Sequence, residues 1–385
     1  MKFRIFHTLL TDQSMKHPIS TICLLLSALV GTTQPSTSLR SLSAVTINLV
    51  NTDDLPYHPG VFSHFEVLDE RPDTARIGIH NFDPVFGHTR NRQLIFHRSA
   101  AQEISDYLNT RFAKPGAPCS ALIVLRNLWL SDANYLKEDK VKNRDILEER
   151  THIRLKAEIY AFNDIFYTPV VRYDTTQTYK RGNTYNNLTT YYALWDKDLS
   201  AVLSDMTDSA AGLAAARMEH GRHLQREDIL QFNRSRFDAV IDGNPALTPG
   251  VYASFEEFRN NAPSIPHFEI RQEKKDQLLY IQDANGSFYY SHDAWGYCDG
   301  RSIYIMHDGK LYQLWKEGNA FYFFSQAYKE NKVTSPEYIL PKSPTVGPTG
   351  IVSPGSPGYT VPSTTTVTST QQRIYTIDMD SGVVY

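Results

Sequence analysis

The stretch His152-Ile153-Arg154-Leu155-Lys156-Ala157-Glu158-Ile159-Tyr160-Ala161 decides the fold. Ile153, Leu155, Ala157, Ile159 and Ala161 alternate with His152, Arg154, Lys156, Glu158 and Tyr160, a period of two that belongs to a strand and not to a helix. One face is apolar and the other charged. The strand is therefore expected in an antiparallel sheet that is buried on one side and wet on the other. Upstream, Cys119 to Leu130 holds the apolar run Ala121-Leu122-Ile123-Val124-Leu125, bounded by turn residues and expected as a central strand. The mixed-charge stretch from Lys137 to Arg150 reads as a solvated hairpin connection between the two. Downstream, Pro169 to Tyr179 is rich in Val, Tyr and Thr and supplies a further strand.

Two main helices are expected on one face of this sheet. Ser99 and Gln102 have capping-box spacing, Ile104, Tyr107, Leu108, Arg111 and Phe112 follow the helical period, and Lys114-Pro115-Gly116 stops the run. Asp196 to Met218 carries the apolar stripe Leu199, Val202, Leu203, Met206, Ala210 and Leu213. Gly221 interrupts it, and Leu224 to Phe232 forms a shorter helix. Val45 to Val50, Phe65 to Asp69 and Arg76 to Ile79 add strands. The second of these runs into Asp69-Glu70-Arg71-Pro72-Asp73, where Pro72 removes a donor and ends ladder pairing. Together they make an α+β domain over residues 42–240, an antiparallel sheet with two main helices on one face.

Asp242-Gly243-Asn244-Pro245 marks a boundary. Residues 245–330 read as a small β-meander domain with one short helix. Ser254 and Glu257 have capping spacing for that helix, and Asn285-Gly286 and Asp308-Gly309 join hairpins. Residues 334–372 are rich in Pro, Ser and Thr, have few large apolar side chains, and are expected to be flexible. Residues 373–385 read as a terminal β-hairpin.

Residues 1–33 match a signal peptide: Lys2, Arg4 and Lys16 precede the apolar run Ile19 to Val30, and Gly31, Thr32 and Thr33 follow. That run falls short of the roughly 20 apolar residues of a membrane span. Export is therefore expected, to the periplasm or cell surface, with no permanent span in the mature chain. Cys23 lies inside the run instead of after it, which does not suit lipidation. Cys119 and Cys298 remain, either as free buried thiols or as one bridge. A net charge of −3 gives no basic footprint, which argues against a nucleic-acid partner.

From Gly250-Val251-Tyr252 through Asn261-Ala262-Pro263-Ser264-Ile265, then Trp295-Gly296-Tyr297-Cys298-Asp299-Gly300 and Ile303-Tyr304-Ile305, the chain resembles uncharacterised exported proteins common in Bacteroidota. The resemblance covers about residues 248–326 and implies location more than chemistry. Around Asp69-Glu70-Arg71-Pro72-Asp73, and in element order, the first domain is weakly similar to transporter-auxiliary envelope lipoproteins, although it lacks a convincing lipidation cysteine.

Three constellations could carry function. His220 and His223, with Glu219, Glu227 and Asp228, have a spacing that could serve a metal, yet Gly221 separates them and their neighbours are those of a solvated helix end. Cys298, with His292 or His307, could form a thiol nucleophile for a hydrolase. The third is an aromatic set between Tyr280 and Phe323, of which Tyr289, Trp295, Tyr297, Tyr304, Tyr312, Trp315 and Tyr322 are the candidate binding residues. Aromatic faces offer large contact area at low entropy cost. No phosphate loop, serine-hydrolase elbow or paired-carboxylate motif is present, so no catalytic residue, metal or cofactor is assigned. The expected function is a non-enzymatic cell-envelope protein binding a protein or glycan partner. The alternatives are the Cys298 hydrolase and a purely structural accessory domain.

Overall fold

The computed structural model describes residues 39–49, 60–82, 90–139, 144–181, 188–243, 245–274, 276–339, 345–346, 352–353 and 359–385. The expected signal segment lies outside them. In the first half, the strands are β1 (Ser43–Thr46), β2 (Phe62–Asp69), β3 (Gly78–Phe82), β4 (Arg90–Ile95), β5 (Cys119–Asp139), β6 (Arg144–Phe162) and β7 (Tyr167–Arg181). The helices are α1 (Ala100–Phe112), α2 (Leu188–His220) and α3 (Arg226–Phe237). Ser99 caps α1, its hydroxyl accepting from the Gln102 amide at 3.3 Å.

The strands form one seven-stranded sheet in the order β1-β4-β3-β5-β6-β7, with β2 paired beside β5. The α+β class holds, but the sheet is mixed where an antiparallel one was expected. The β5-β6-β7 meander is antiparallel, whereas β2 and β3 run parallel to β5 and β1 runs parallel to β4. Parallel pairing requires a crossover, and α1 lies on the connection from β2 to β5. Both main helices cover one face: Ile104, Leu108 and Phe112 of α1 and Leu199, Val202 and Met206 of α2 pack on Ile123, Ile153, Leu155 and Ile159. Along α2, the tightly packed stripe survives at the expected positions except Leu213, which is exposed. The helix itself begins eight residues earlier than the stripe implied.

The charged face of β6 is the main departure. Lys156, Glu158 and Tyr160 are buried, not wet. At one end α3 covers the sheet, with Ile229 packed against Leu122, Val124 and Tyr160. Further along, a turn from Asp378 to Ser381 folds back onto it. Lys156 pairs with Asp378, and its ammonium lies 3.6 Å from Asp380. Glu158 accepts from Arg126 at 3.0 Å, Arg172 at 2.9 Å, Arg236 at 3.2 Å and the Tyr160 hydroxyl at 2.8 Å. Arg236 also donates to Asp380 at 3.0 Å. A polar strand face can thus be dry when every charge on it finds a partner.

The second half contains β8 (Gly250–Tyr252), α4 (Phe255–Arg259), β9 (Phe268–Glu273), β10 (Asp276–Gln282), β11 (Phe288–Tyr290), β12 (Gly296–Cys298), β13 (Ile303–His307), β14 (Lys310–Gln313), β15 (Trp315–Glu317) and β16 (Ala320–Ile339). It ends with β17 (Thr345–Val346), β18 (Val352–Ser353) and β19 (Tyr359–Thr376). The meander is divided into layers: β11-β10-β9, then β14-β13-β12-β8, then β15-β16-β19. Leu279 and Ile281 of the first layer pack on Val251 and Tyr297 of the second. The other side of the second layer meets the third through Ile303, Ile305, Phe321 and Phe323, with Phe258 of α4. The third then meets the seven-stranded sheet through Tyr322, Phe324 and Ile374 against Ile79 and Trp129. Residues Leu39 to Tyr385 consequently form one compact unit.

The Pro/Ser/Thr-rich stretch expected to be flexible supplies paired backbone at both ends. Residues 334–339 pair with 359–364 in an antiparallel ribbon of β16 and β19. A ladder needs no apolar core, and the Thr-Thr-Thr-Val-Thr run suits a strand. The terminal hairpin is present as a reversal in which Thr376 and Tyr385 exchange backbone hydrogen bonds of 2.9 and 3.1 Å and the Asp378 amide donates to the Val383 carbonyl at 2.8 Å.

Candidate functional site

Alternation along β10 sends Leu279 and Ile281 into the core and leaves Tyr280 on the outer side. The β10–β11 hairpin turns at Asn285-Gly286, where the Asp283 carboxylate accepts from the Asn285 and Ser287 amides at 2.9 and 2.8 Å. That turn sets Tyr280 opposite Tyr290 and Gln282 opposite Phe288. Tyr280, Phe288 and Tyr290 therefore share the outer face. The Arg271 guanidinium of β9 lies 4.0 Å from the Tyr280 ring centroid and donates to Glu269 at 2.9 Å. The Tyr280 hydroxyl donates to Glu273 at 3.0 Å, and this bond holds its proton on, pushing its pKa up. Tyr290 is stacked at 6.1 Å on His292 and is 38% exposed, and Tyr289, on the opposite side of the same edge strand, is 51% exposed.

None of the seven expected binding aromatics joins the face of Tyr280, Phe288 and Tyr290: Tyr289 is exposed on the opposite side of β11, and the other six lie elsewhere. Tyr297 is buried and stacked on Tyr304 at 4.6 Å, and burial pushes its phenol well up. Trp295 is half-buried and stacks on Phe258 at 4.3 Å, and Tyr312 stacks on Phe323 at 5.4 Å. Tyr322 is buried against the seven-stranded sheet, and Trp315 packs beside it. The cause is layering: the central sheet is covered on both sides, so both alternate sets of side chains are interior. Tyr280, Phe288 and Tyr290 lie on the outermost layer, and only the tertiary order of the sheets shows it. Gly296 permits the tight central path, since a Cβ there would strike the Tyr304 carbonyl.

Cys298 is fully buried among Tyr252, Phe258 and Ile303. Its sulfur accepts from the Gly300 amide at 3.2 Å, and burial pushes the thiol up, which keeps it protonated and unreactive. Neither imidazole is brought to it: His307 packs on Phe323 at 5.2 Å and Tyr375 at 5.1 Å, and His292 stands exposed beside Asp293. Cys119 and Cys298 are both free buried thiols. His220 is exposed beside Glu219, while the His223 ring packs on Phe166. Among the described residues no group of three or more His, Cys, Asp or Glu is placed to hold a metal ion.

Asp69-Glu70-Arg71-Pro72-Asp73 is a folded charge knot. Arg71 pairs with Asp69 through bonds of 2.7 and 2.8 Å and donates to the Arg76 carbonyl at 2.8 Å. Arg76 bridges Asp73 at 2.8 Å and Glu317 of the second half at 2.7 Å. Beside the knot lies an open cleft of about 650 Å³, lined in part by Glu70, Arg234, Asp238 and Asp242. Burial lifts the Asp242 carboxyl to about 6 against the pull of Lys316 and Arg259. Sequence reasoning missed this cleft, because its walls come from three distant segments.

Comparison with family models, curated proteins and solved structures finds no match for this chain.

Proposed function

We propose that this is a non-enzymatic, exported protein of the cell envelope that binds a glycan through the outer face of β9, β10 and β11. Export is supported by the cationic and apolar order of residues 1–33. The binding reading is carried by one observation: Tyr280, Phe288 and Tyr290 share a face that points away from the core, with Arg271 over Tyr280 at 4.0 Å. Sugar rings stack their C–H faces on such aromatics, and Glu269, Glu273 and Arg271 offer fixed polar groups at the rim. The burial of Cys298 speaks against the hydrolase reading.

Binding of the purified protein to immobilised envelope polysaccharides tests this. Tyr290→Ala is expected to weaken binding about tenfold, and Tyr280→Ala/Tyr290→Ala to abolish it. A wild-type protein that retains no polysaccharide, or a double variant that binds as well as wild type, refutes the proposal.

The buried charge seam favours a second reading, in which the β-rich half also supports the first. Deleting residues 245–385 is then expected to leave an insoluble remainder, and a soluble folded fragment would count against it.

A further inference from the structure

Asn285 is the one asparagine in the chain that is followed by a glycine. It sits at the tip of the β10–β11 hairpin, where Ala284, Asn285, Gly286 and Ser287 are all exposed. The turn holds its main chain and leaves its side chain alone. The Asn285 amide donates to the Asp283 carboxylate at 2.9 Å, whereas its carboxamide has no partner among the described residues. Gly286 is left-handed at φ +84°, and the space a Cβ would take is open, its nearest neighbour being Gln282 Nε2 at 3.7 Å. No side chain of residue 286 therefore shields its own nitrogen. That nitrogen is held by a single hydrogen bond, donated to the Asp283 carbonyl at 3.0 Å. A lone bond at an exposed hairpin tip belongs to the part of a fold that opens most easily.

We propose that Asn285 is a site of spontaneous deamidation, with Gly286 as the internal nucleophile. When the bond to Asp283 opens, the Gly286 nitrogen gives its proton to solvent base and attacks the Asn285 Cγ. A new C–N bond closes an imide ring, the C–N bond of the carboxamide breaks, and the departing nitrogen takes up a proton and leaves as ammonia. Water then opens the ring at either carbonyl. Attack at Cγ leaves aspartate, and attack at the main-chain carbon leaves isoaspartate, whose main chain runs through the former side chain. Water is the only co-reactant. Both products place a negative charge beside Asp283. Isoaspartate also lengthens the main chain within the turn by a methylene. The Asp283 amide, which now donates to the Ser287 carbonyl at 2.8 Å, then loses its alignment, and the pairing of Gln282 with Phe288 loosens from its closed end. The chemistry is independent of any ligand.

Ageing of the full-length protein at mildly alkaline pH, followed by peptide mapping with mass spectrometry and an isoaspartate assay, tests the inference. Asn319 is the internal control: it is an exposed turn residue too, but Ala320 follows it and carries a Cβ. The peptide containing residue 285 is expected to convert from amide to acid, with ammonia and isoaspartate appearing together, while the Asn319 peptide keeps its amide. Conversion is expected to quicken as pH rises, because the Gly286 nitrogen must lose a proton. Asn285→Gln, which would have to close a larger ring, is expected to lose the conversion at that position. Hydrogen exchange of the β10 and β11 amides is expected to be faster in aged wild type than in aged Asn285→Gln. A folded protein that keeps its amide at 285 under conditions in which the urea-unfolded chain loses it overturns the inference. So does a rate indifferent to pH, or conversion of Asn319 as fast as that of Asn285.

Discussion

From Leu155 to Tyr160 the two faces of β6 are built from alternate residues of one strand and are both buried, yet they are held by different physics. On one, Ile153, Leu155 and Ile159 lie under α1 and α2. On the other, Lys156 and Glu158 lie under α3 and the turn at Asp378 to Ser381. The first face gains from leaving water, whereas the second loses hydration and must recover it through pairing. Alternation therefore reports that two faces differ in chemistry, not that the polar one meets solvent.

Substitutions separate the two. Glu158→Ala removes the nearest carboxylate partner of the buried Arg126, whose pKa burial already pushes down, and is expected to cost about 3–5 kcal/mol. Leu155→Ala opens a cavity on the apolar side and is expected to cost about 2–5 kcal/mol. Urea midpoints measure both, and a negligible loss for Glu158→Ala would mean that the charged seam is not a fixed element.

Asp380→Asn is a smaller change, expected to cost about 1–3 kcal/mol. Burial lifts the Asp380 carboxyl, but Arg126, Arg236 and Lys156 outweigh it and hold the pKa below the ordinary value. A carboxylate depressed in the folded state stabilises above its unfolded pKa and loses that contribution as pH falls through the folded one. Acid should therefore weaken the wild type more than Asp380→Asn, and equal acid titration of stability would break the assignment.

Asp242→Asn is the smallest effect and has the opposite sign. The Asp242 carboxyl is lifted to about 6, so its ionised form disfavours the fold at neutral pH. The substitution is expected to raise the melting temperature slightly at pH 7 and to leave it unchanged well below the ordinary carboxylate range, under both its folded and unfolded values. A decrease at pH 7 would show that Asp242 is stabilising when charged.

Local rules made the elements legible. The period of two in β6, the Ser99 cap of α1 and the Asn285-Gly286 turn all appear where the residues place them. What covered each face was not legible, because it depends on partners far along the chain. Trp295 and Tyr297 are interior since a sheet lies on each side of theirs, while Tyr290 is exposed because nothing described lies beyond its layer. The parallel pairing of β2 with β5 was hidden for the same reason. No residue in either strand states its direction relative to the other.

The Lys156–Asp378 pair joins positions 222 residues apart. Contacts of such separation must close a long loop before they return any stability, which slows folding. The middle of the sheet remains an incomplete, unmatched surface until the last dozen residues are available to dock. Synthesis of the first half alone therefore does not finish it. The chain is expected to complete its fold late and as a whole.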